Sequence, residues 1–204
     1  MGHRALIPVK HLSAVKTRLS RHLTPEQRST LVLDMLHRVI DALHASQALE
    51  SISVVSADSE VLERARCWGA HGLQEEQPGH NEALAVAAHH AINHGADTLL
   101  TLSADLPLLC GQDVRAMIEQ SETHQIVLAP SRDGTGTNAL LARPPLVVPY
   151  VFGVNSLQHY IAQARSYQLS YMLYRSLGTE LDIDTLEDLM LYWSYDHCET
   201  LAKG

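Results

Sequence analysis

The feature that most limits the folds open to this chain is an alternation of short apolar runs with stretches of helical periodicity along its 204 residues. His3–Val9, Ser51–Ser56 and Thr98–Ser103 each read as a buried strand, and each is followed by a segment whose apolar residues recur at helical spacing. Thr98–Ser103 (TLLTLS) carries no charged residue, as a strand covered on both faces of a parallel sheet requires. Strand–helix–strand order predicts an α/β protein, a Rossmann-like three-layer sandwich with a mixed, mostly parallel sheet, built as one domain over residues 1–204.

Local punctuation supports this register. Thr24-Pro25-Glu26-Gln27 combines an N-cap threonine, a proline at the first helical position and a glutamine at the capping-box position. Leu31, Met35, Ile40 and Leu43 then follow one helical face. Asp58 is placed to cap a helix through Trp68 that Gly69 ends, and residues 82–94 form an alanine-rich helix closed by Gly95. Further helices are predicted at Gln112–Gln120, Ser156–Tyr167 and Thr185–Tyr195, and further strands at Gln125–Ala129, Asn138–Ala142 and Leu169–Tyr174.

Composition narrows the function. Only 5% of residues are aromatic and the net charge is −8, which argues against base-stacking platforms and general polyanion binding, so no nucleic-acid partner is expected. The charge is uneven: residues 1–38 carry seven Lys/Arg against two Asp/Glu, whereas the remainder carries eight against 21. A basic head on an acidic body points to a local anion site. No apolar run reaches the length of a membrane span and no signal peptide is evident, so no membrane partner is expected. Cys67, Cys110 and Cys198 have no paired spacing, which fits neither a disulfide framework nor a zinc knuckle and favours a reducing, cytoplasmic setting.

Five stretches carry candidate chemistry. Asp105 follows the apolar run 98–103 and therefore falls at the carboxyl edge of the sheet, where α/β ligand sites form and a carboxylate can hold magnesium against phosphate oxygens. Lys10, Lys16 and Arg18 lie in the first strand-to-helix loop, where they would supply charge to a polyphosphate. That loop has no glycine fingerprint, so it is neither a dinucleotide loop nor a P-loop. Asp133-Gly134-Thr135-Gly136-Thr137-Asn138 offers backbone N–H groups and hydroxyls to an anion, although plain hairpin loops share this composition. Gly153 permits close backbone approach, and Ser156 opens a helix whose N-terminus can face phosphate, or is simply its N-cap. In Leu181-Asp182-Ile183-Asp184-Thr185, the two aspartates point the same way if the segment is extended, as a second metal carboxylate requires. Asp184 with Glu187 also makes an ordinary helix start. His90 and His94 are spaced for zinc on a helix but lack a third ligand, and no nucleophile–base set is arranged.

These stretches occur in one order with Ile7-Pro8-Val9-Lys10, Val15-Lys16-Thr17-Arg18-Leu19, Asn81-Glu82-Ala83-Leu84 and Ser103-Ala104-Asp105-Leu106-Pro107. Together they resemble the guanylyltransferases of coenzyme F420 biosynthesis, which act on 2-phospho-L-lactate, phosphoenolpyruvate or 3-phospho-D-glycerate. The likeness runs from about residue 5 to about residue 190. Two departures are Val15, where the family usually has alanine, and His80, where it usually has leucine.

The resemblance implies a nucleotidyltransferase fold of the GT-A-like kind, GTP as donor and a small phospho-acid as acceptor. It places acceptor binding on Thr137, Gly153 and Ser156, nucleotide binding on Lys10, Lys16, Arg18 and Asn81, and magnesium on Asp105 with Asp184 or Asp182, Asp184 being preferred. Lys10, Lys16, Arg18 and Asp105 are then the expected catalytic residues. A phosphate monoester is already largely ionised at neutral pH, so the absence of a catalytic histidine is consistent with this chemistry. A molybdenum-cofactor-type nucleotidyltransferase, a glycosyltransferase of similar fold and a non-catalytic nucleotide-binding regulator are the rival readings. Neither the acceptor nor the oligomeric state follows from the sequence, a homodimer being one option.

Overall fold

A computed structural model describes residues 2–75 and 79–202, with side chains through Tyr195. Seven strands form one sheet: β1 (His3–Pro8), β2 (Ser51–Ser56), β3 (His71–Gln74), β4 (Thr98–Leu102), β5 (Ile126–Pro130), β6 (Thr137–Ala142) and β7 (Tyr171–Leu173). Their spatial order is β3-β2-β1-β4-β6-β5-β7, and only β6 runs against its neighbours. The mixed, mostly parallel sheet is the one the alternation predicts.

Helices cover both faces. Ala5, Ile7, Ile52, Val54, Leu100 and Leu102 project to the face packed by α1 (Pro25–Ser46), α2 (Ser59–Cys67) and α4 (Gly111–Gln120). The alternate residues Leu6, Val55 and Leu99 meet Leu84, Ala87, Ala88 and Ala91 of α3 (His80–Asn93). Farther along that face, Ile126, Leu128 and Leu140 meet Leu157, Tyr160 and Ala164 of α5 (Ser156–Ser166). This period-2 partition of apolar residues makes the three layers. Two more helices close the chain, the short α6 (Leu177–Glu180) and α7 (Leu186–Ala202), which seats Leu189 and Tyr192 in the core. Among the described residues, no helix is long and apolar enough to cross a membrane.

The punctuation expected at α1 is realised in full: Thr24 Oγ1 accepts from Gln27 N at 3.2 Å, and Thr24 N donates to Gln27 Oε1 at 2.9 Å. Asp58 caps α2 by accepting from Glu60 N at 3.0 Å, and Gly69 and Gly95 take positive φ after α2 and α3. Three details differ from expectation. At the start of α7 the cap is Thr185 with Asp188, whose Oδ2 accepts from Thr185 N at 2.9 Å, so Asp184 and Glu187 are not the pair. Asn155, in the left-handed region, is the N-cap of α5, and Ser156 is its first helical residue. β3 and α6 were not anticipated: His71-Gly72-Leu73-Gln74 has little strand propensity, and pairing with β2 makes it a strand.

α6 is short but fixes where the following segment lies. A Cβ on Gly178 would fall 2.5 Å from Asp113 Oδ2 and 2.6 Å from the Leu108 carbonyl oxygen. Gly178→Ala is expected to lower unfolding free energy by roughly 1–3 kcal/mol through overpacking, measured by urea denaturation; unchanged stability would show that α6 has room to move.

Candidate active site

The sheet's carboxyl edge gathers side chains from four distant segments. Asp105 follows β4, and its carbonyl accepts from Ile183 N at 3.2 Å, which fastens the 181–184 segment alongside. Leu181 and Ile183 are buried in the core. The intervening Asp182 and Asp184 therefore emerge together, as the apolar–acidic alternation implies. Oxygens of Asp105, Asp182 and Asp184 all lie within 4.8 Å of one another.

Lys16 enters this cluster from the loop after β1. The loop contains two 3-10 turns, Leu12–Ala14 and Thr17–Leu19, with Lys16 between them in the left-handed region at φ 48°. Leu12, Val15 and Leu19 are buried and act as apolar anchors. Asp58 Oδ2 accepts from Leu12 N at 2.9 Å, and Arg28 Nε donates to the Val15 carbonyl at 3.2 Å. So held, the Lys16 ammonium donates to Asp105 Oδ2 and, at 2.9 Å, to Asp184 Oδ1. Arg18, largely exposed, reaches Asp184 Oδ2 at 3.4 Å. Lys10 is exposed and close enough for its charge to act on both Asp184 and His80.

The charges respond to one another. Burial opposes the Lys16 charge, but Asp105 and Asp184 outweigh it and raise the ammonium's pKa. Burial likewise opposes ionisation of Asp184, and Lys16, Arg18 and Lys10 overcome it, so its pKa falls. Asp182 has no ion-pair partner among the described residues; burial, then Asp105, push it up to about 6 against the hydrogen bond from Asn138.

Asn138 is the site residue that sequence reasoning missed, although it closes the Gly/Thr motif. Ala129 pairs with Ala139 and Pro130 with Thr137, so Asn138 is the extra residue of a β-bulge. The bulge re-aims its buried amide, and Nδ2 donates to Asp182 Oδ1 at 3.1 Å and to the Thr179 carbonyl at 3.0 Å. No sequence signal distinguishes a bulged asparagine from a loop asparagine.

The expected acceptor residues lie beside this edge. Thr137 adjoins Asn138, and its Oγ1 is buried with no protein partner. Gly153 has φ +134°, and nothing lies within 4 Å of a Cβ built there, so the glycine answers to backbone conformation and leaves open space. Ser156 is buried, and Leu157 N donates to the Thr135 carbonyl at 3.2 Å, tying the start of α5 to the Gly/Thr loop. Two neighbouring loops bond their own polar groups. The Gly/Thr loop bonds its own N–H groups: Thr135 N goes to Asp133 Oδ1 and Gly136 N to Ser131 Oγ, and hydrogen bonds from Thr135 N and from the Ser131 and Thr135 hydroxyls lower the Asp133 carboxyl to about 2. Asn81 spends its amide on the backbone of Phe152, accepting from N at 2.9 Å and donating to O at 3.1 Å, which makes it a clamp on the loop that carries Gly153. His90 and His94 stack on each other, and the described residues contain no third ligand beside them.

The three carboxylates fit a hard divalent cation. Asp105 Oδ1 is buried without a hydrogen-bond donor among the described residues, and Lys16 with the more exposed Arg18 sets two positive charges against three carboxyl groups. An all-oxygen set of this kind suits magnesium.

The mixed sheet with this strand order is a fold that nucleotidyltransferases share. The same fold occurs in the nucleotidyl transferase Mth528 of Methanothermobacter thermautotroptrophicus, with a TM-score of 0.69 at 12% identity over 95% of this chain and 97% of that one. Residues 3–196 match the family described as "Guanylyl transferase CofC like", and the chain belongs to that family. A phosphoenolpyruvate guanylyltransferase of Sphaerobacter thermophilus is 41% identical, covering 91% of this chain and 89% of its own. A 2-phospho-L-lactate guanylyltransferase of Methanocaldococcus infernus is 34% identical, covering 90% of this chain and 81% of its own.

The raised Asp182 sets a pH dependence. Between the ordinary carboxyl value of 3.8 and about 6, the folded state holds a proton that the unfolded state has lost, so stability falls as pH rises through this window. Asp182→Asn in metal-free buffer is expected to remove that slope and to raise stability at pH 7 by up to about 3 kcal/mol, with no gain below pH ~4. Denaturant titrations at several pH values test this; a variant that parallels the wild type throughout would show that Asp182 ionises freely.

Proposed function

We propose that this protein is a magnesium-dependent guanylyltransferase that transfers GMP from GTP to the phosphate of a small phosphorylated carboxylic acid, phosphoenolpyruvate or 2-phospho-L-lactate, and releases pyrophosphate, in the biosynthesis of coenzyme F420. The observation that carries the reading is the meeting of Asp105, Asp182 and Asp184 with the basic loop through Lys16. Family membership and the names of the two relatives supply the donor and the acceptor class.

In this reading Asp105 and Asp184 hold the magnesium, and Asn138 keeps Asp182 beside them as a further ligand. Bound there, magnesium neutralises phosphate charge and orients the triphosphate. Lys16 and Arg18 transfer part of their attraction from Asp184 to phosphate oxygens, and Lys10, exposed at the mouth of the loop, adds a third cation. Thr137, the open backbone at Gly153 and the start of α5 at Ser156 receive the acceptor, with Asn81 setting the height of the Gly153 loop through Phe152. An acceptor phosphate oxygen attacks the α-phosphorus in line as the bond from that phosphorus to the bridging oxygen breaks, so pyrophosphate leaves with the bonding electrons. The nucleophile is already an anion, so no residue is needed as general base. Alignment and charge neutralisation supply the rate.

Purified protein given GTP, magnesium and either acceptor is expected to release pyrophosphate and form a product whose mass is that of the acceptor plus a guanylyl group. Asp105→Asn is expected to cut turnover by at least about 100-fold with an unchanged circular dichroism spectrum. Pyrophosphate release with neither acceptor nor 3-phospho-D-glycerate, from folded protein, would overturn the reading.

A further inference from the structure

A second polar site lies on the α3 face, toward the amino ends of the strands and away from the carboxyl edge. α3 covers β1 and β4 but leaves the β2–β3 corner open, and a cavity of about 420 Å³ remains there, within the size range of small-molecule sites. Its floor is unlike the rest of the sheet. Where α3 covers the strands this face is apolar, yet at the corner it presents Arg4, Ser51, Ser53 and His71. His90 and His94 of α3 form one wall, and Arg66, reaching from α2 on the opposite face, borders the cavity at the β3 edge.

The cations are positioned rather than loose. Arg4 Nη1 donates to Ser51 Oγ at 3.1 Å and Nη2 to the His94 carbonyl, while its Nε is buried with no acceptor among the described residues. Glu50 touches Arg4 at 3.5 Å without lining the cavity, and none of the described lining residues is acidic. Arg66 reaches the Gly72 carbonyl at 3.3 Å on the edge strand, and its guanidinium lies 3.0 Å from where a Cβ on Gly72 would stand, so only glycine lets it lie flat there.

We propose that this cavity is a second binding site, for a small phosphate-bearing anion, distinct from the proposed active site and independent of its chemistry. Two guanidinium groups, two hydroxyls and three imidazoles line one space with no carboxylate among the described lining residues, Glu50 meeting Arg4 outside it, and the buried Arg4 Nε has no acceptor among the described residues. Free polyphosphate and a phosphate ester share the required charge, and the volume of the cavity admits either.

The test is a titration of the full-length protein with inorganic pyrophosphate and, separately, guanosine monophosphate at fixed pH, read from the NMR signals of the histidine rings. His71, His90 and His94 report on the cavity, and His80, which feels Lys10, reports on the active-site edge. At least one of the two probes is expected to shift the three cavity rings saturably, and the tighter of the two shows whether the anion is free or esterified. Arg66→Gln, at an exposed position, is expected to weaken that response by about tenfold or more while leaving the His80 response at its wild-type midpoint. Arg4→Lys, which retains charge but loses the fork, should weaken it as well. Absence of a saturable cavity response to both probes, or midpoints insensitive to both variants in protein with normal melting, would overturn the proposal. A His80 response that fails alone bears only on the active-site reading.

Discussion

The constraint on which the site depends is the crowding of three carboxyl groups around one ammonium. Lys16 and the more exposed Arg18 set two positive charges against three carboxyl groups, so the partly buried cluster still lacks cation. The structure answers in two ways. It splits the aspartates, holding Asp184 ionised against Lys16 while Asp182 moves toward the protonated form. It also leaves Asp105 Oδ1 without a donor. Both responses are those of an oxygen-lined site short of positive charge, which a divalent cation would fit.

Such repulsion is sustained only by scaffolding that has no wish to open. Leu181 and Ile183 enter the core on either side of Asp182, and the Asp105 carbonyl is bonded to Ile183 N, so the two acidic segments cannot part without exposing apolar surface. The basic loop is fastened in the same manner by Leu12, Val15 and Leu19. Apolar anchors a residue or two from each charge keep the polar groups at close quarters, and the left-handed Lys16 is strain of the kind concentrated at functional sites.

The acceptor side is built by indirection. Asn81 and Asp133 both carry groups fit to bind a ligand, and both spend them on backbone, fixing the Gly153 loop and the Gly/Thr loop respectively. What is left is the buried Thr137 Oγ1, unpartnered among the described residues, and the bare backbone at Gly153, which adjoins open space. Reading composition alone, a loop rich in Gly and Thr looks like an anion cradle; once folded, Asp133 and Ser131 have taken its donors.

Much of this protein is decided locally and so was legible in its sequence. The α/β alternation, the Thr24–Gln27 box, the Asp58 cap, the acidic residue after β4 and the alternation around Asp182 and Asp184 each rest on contacts within a few residues or on a period of two. What only tertiary structure decided involves partners far apart in the chain. β3 is a strand because β2 lies beside it, α6 is placed by Gly178 against Leu108 and Asp113, and the bulge at Asn138 brings its amide to a carboxylate 44 positions later. Side-chain type and spacing state which groups are available; which of them remain free for a ligand depends on what the folded chain sets beside each one, and no local pattern encodes that.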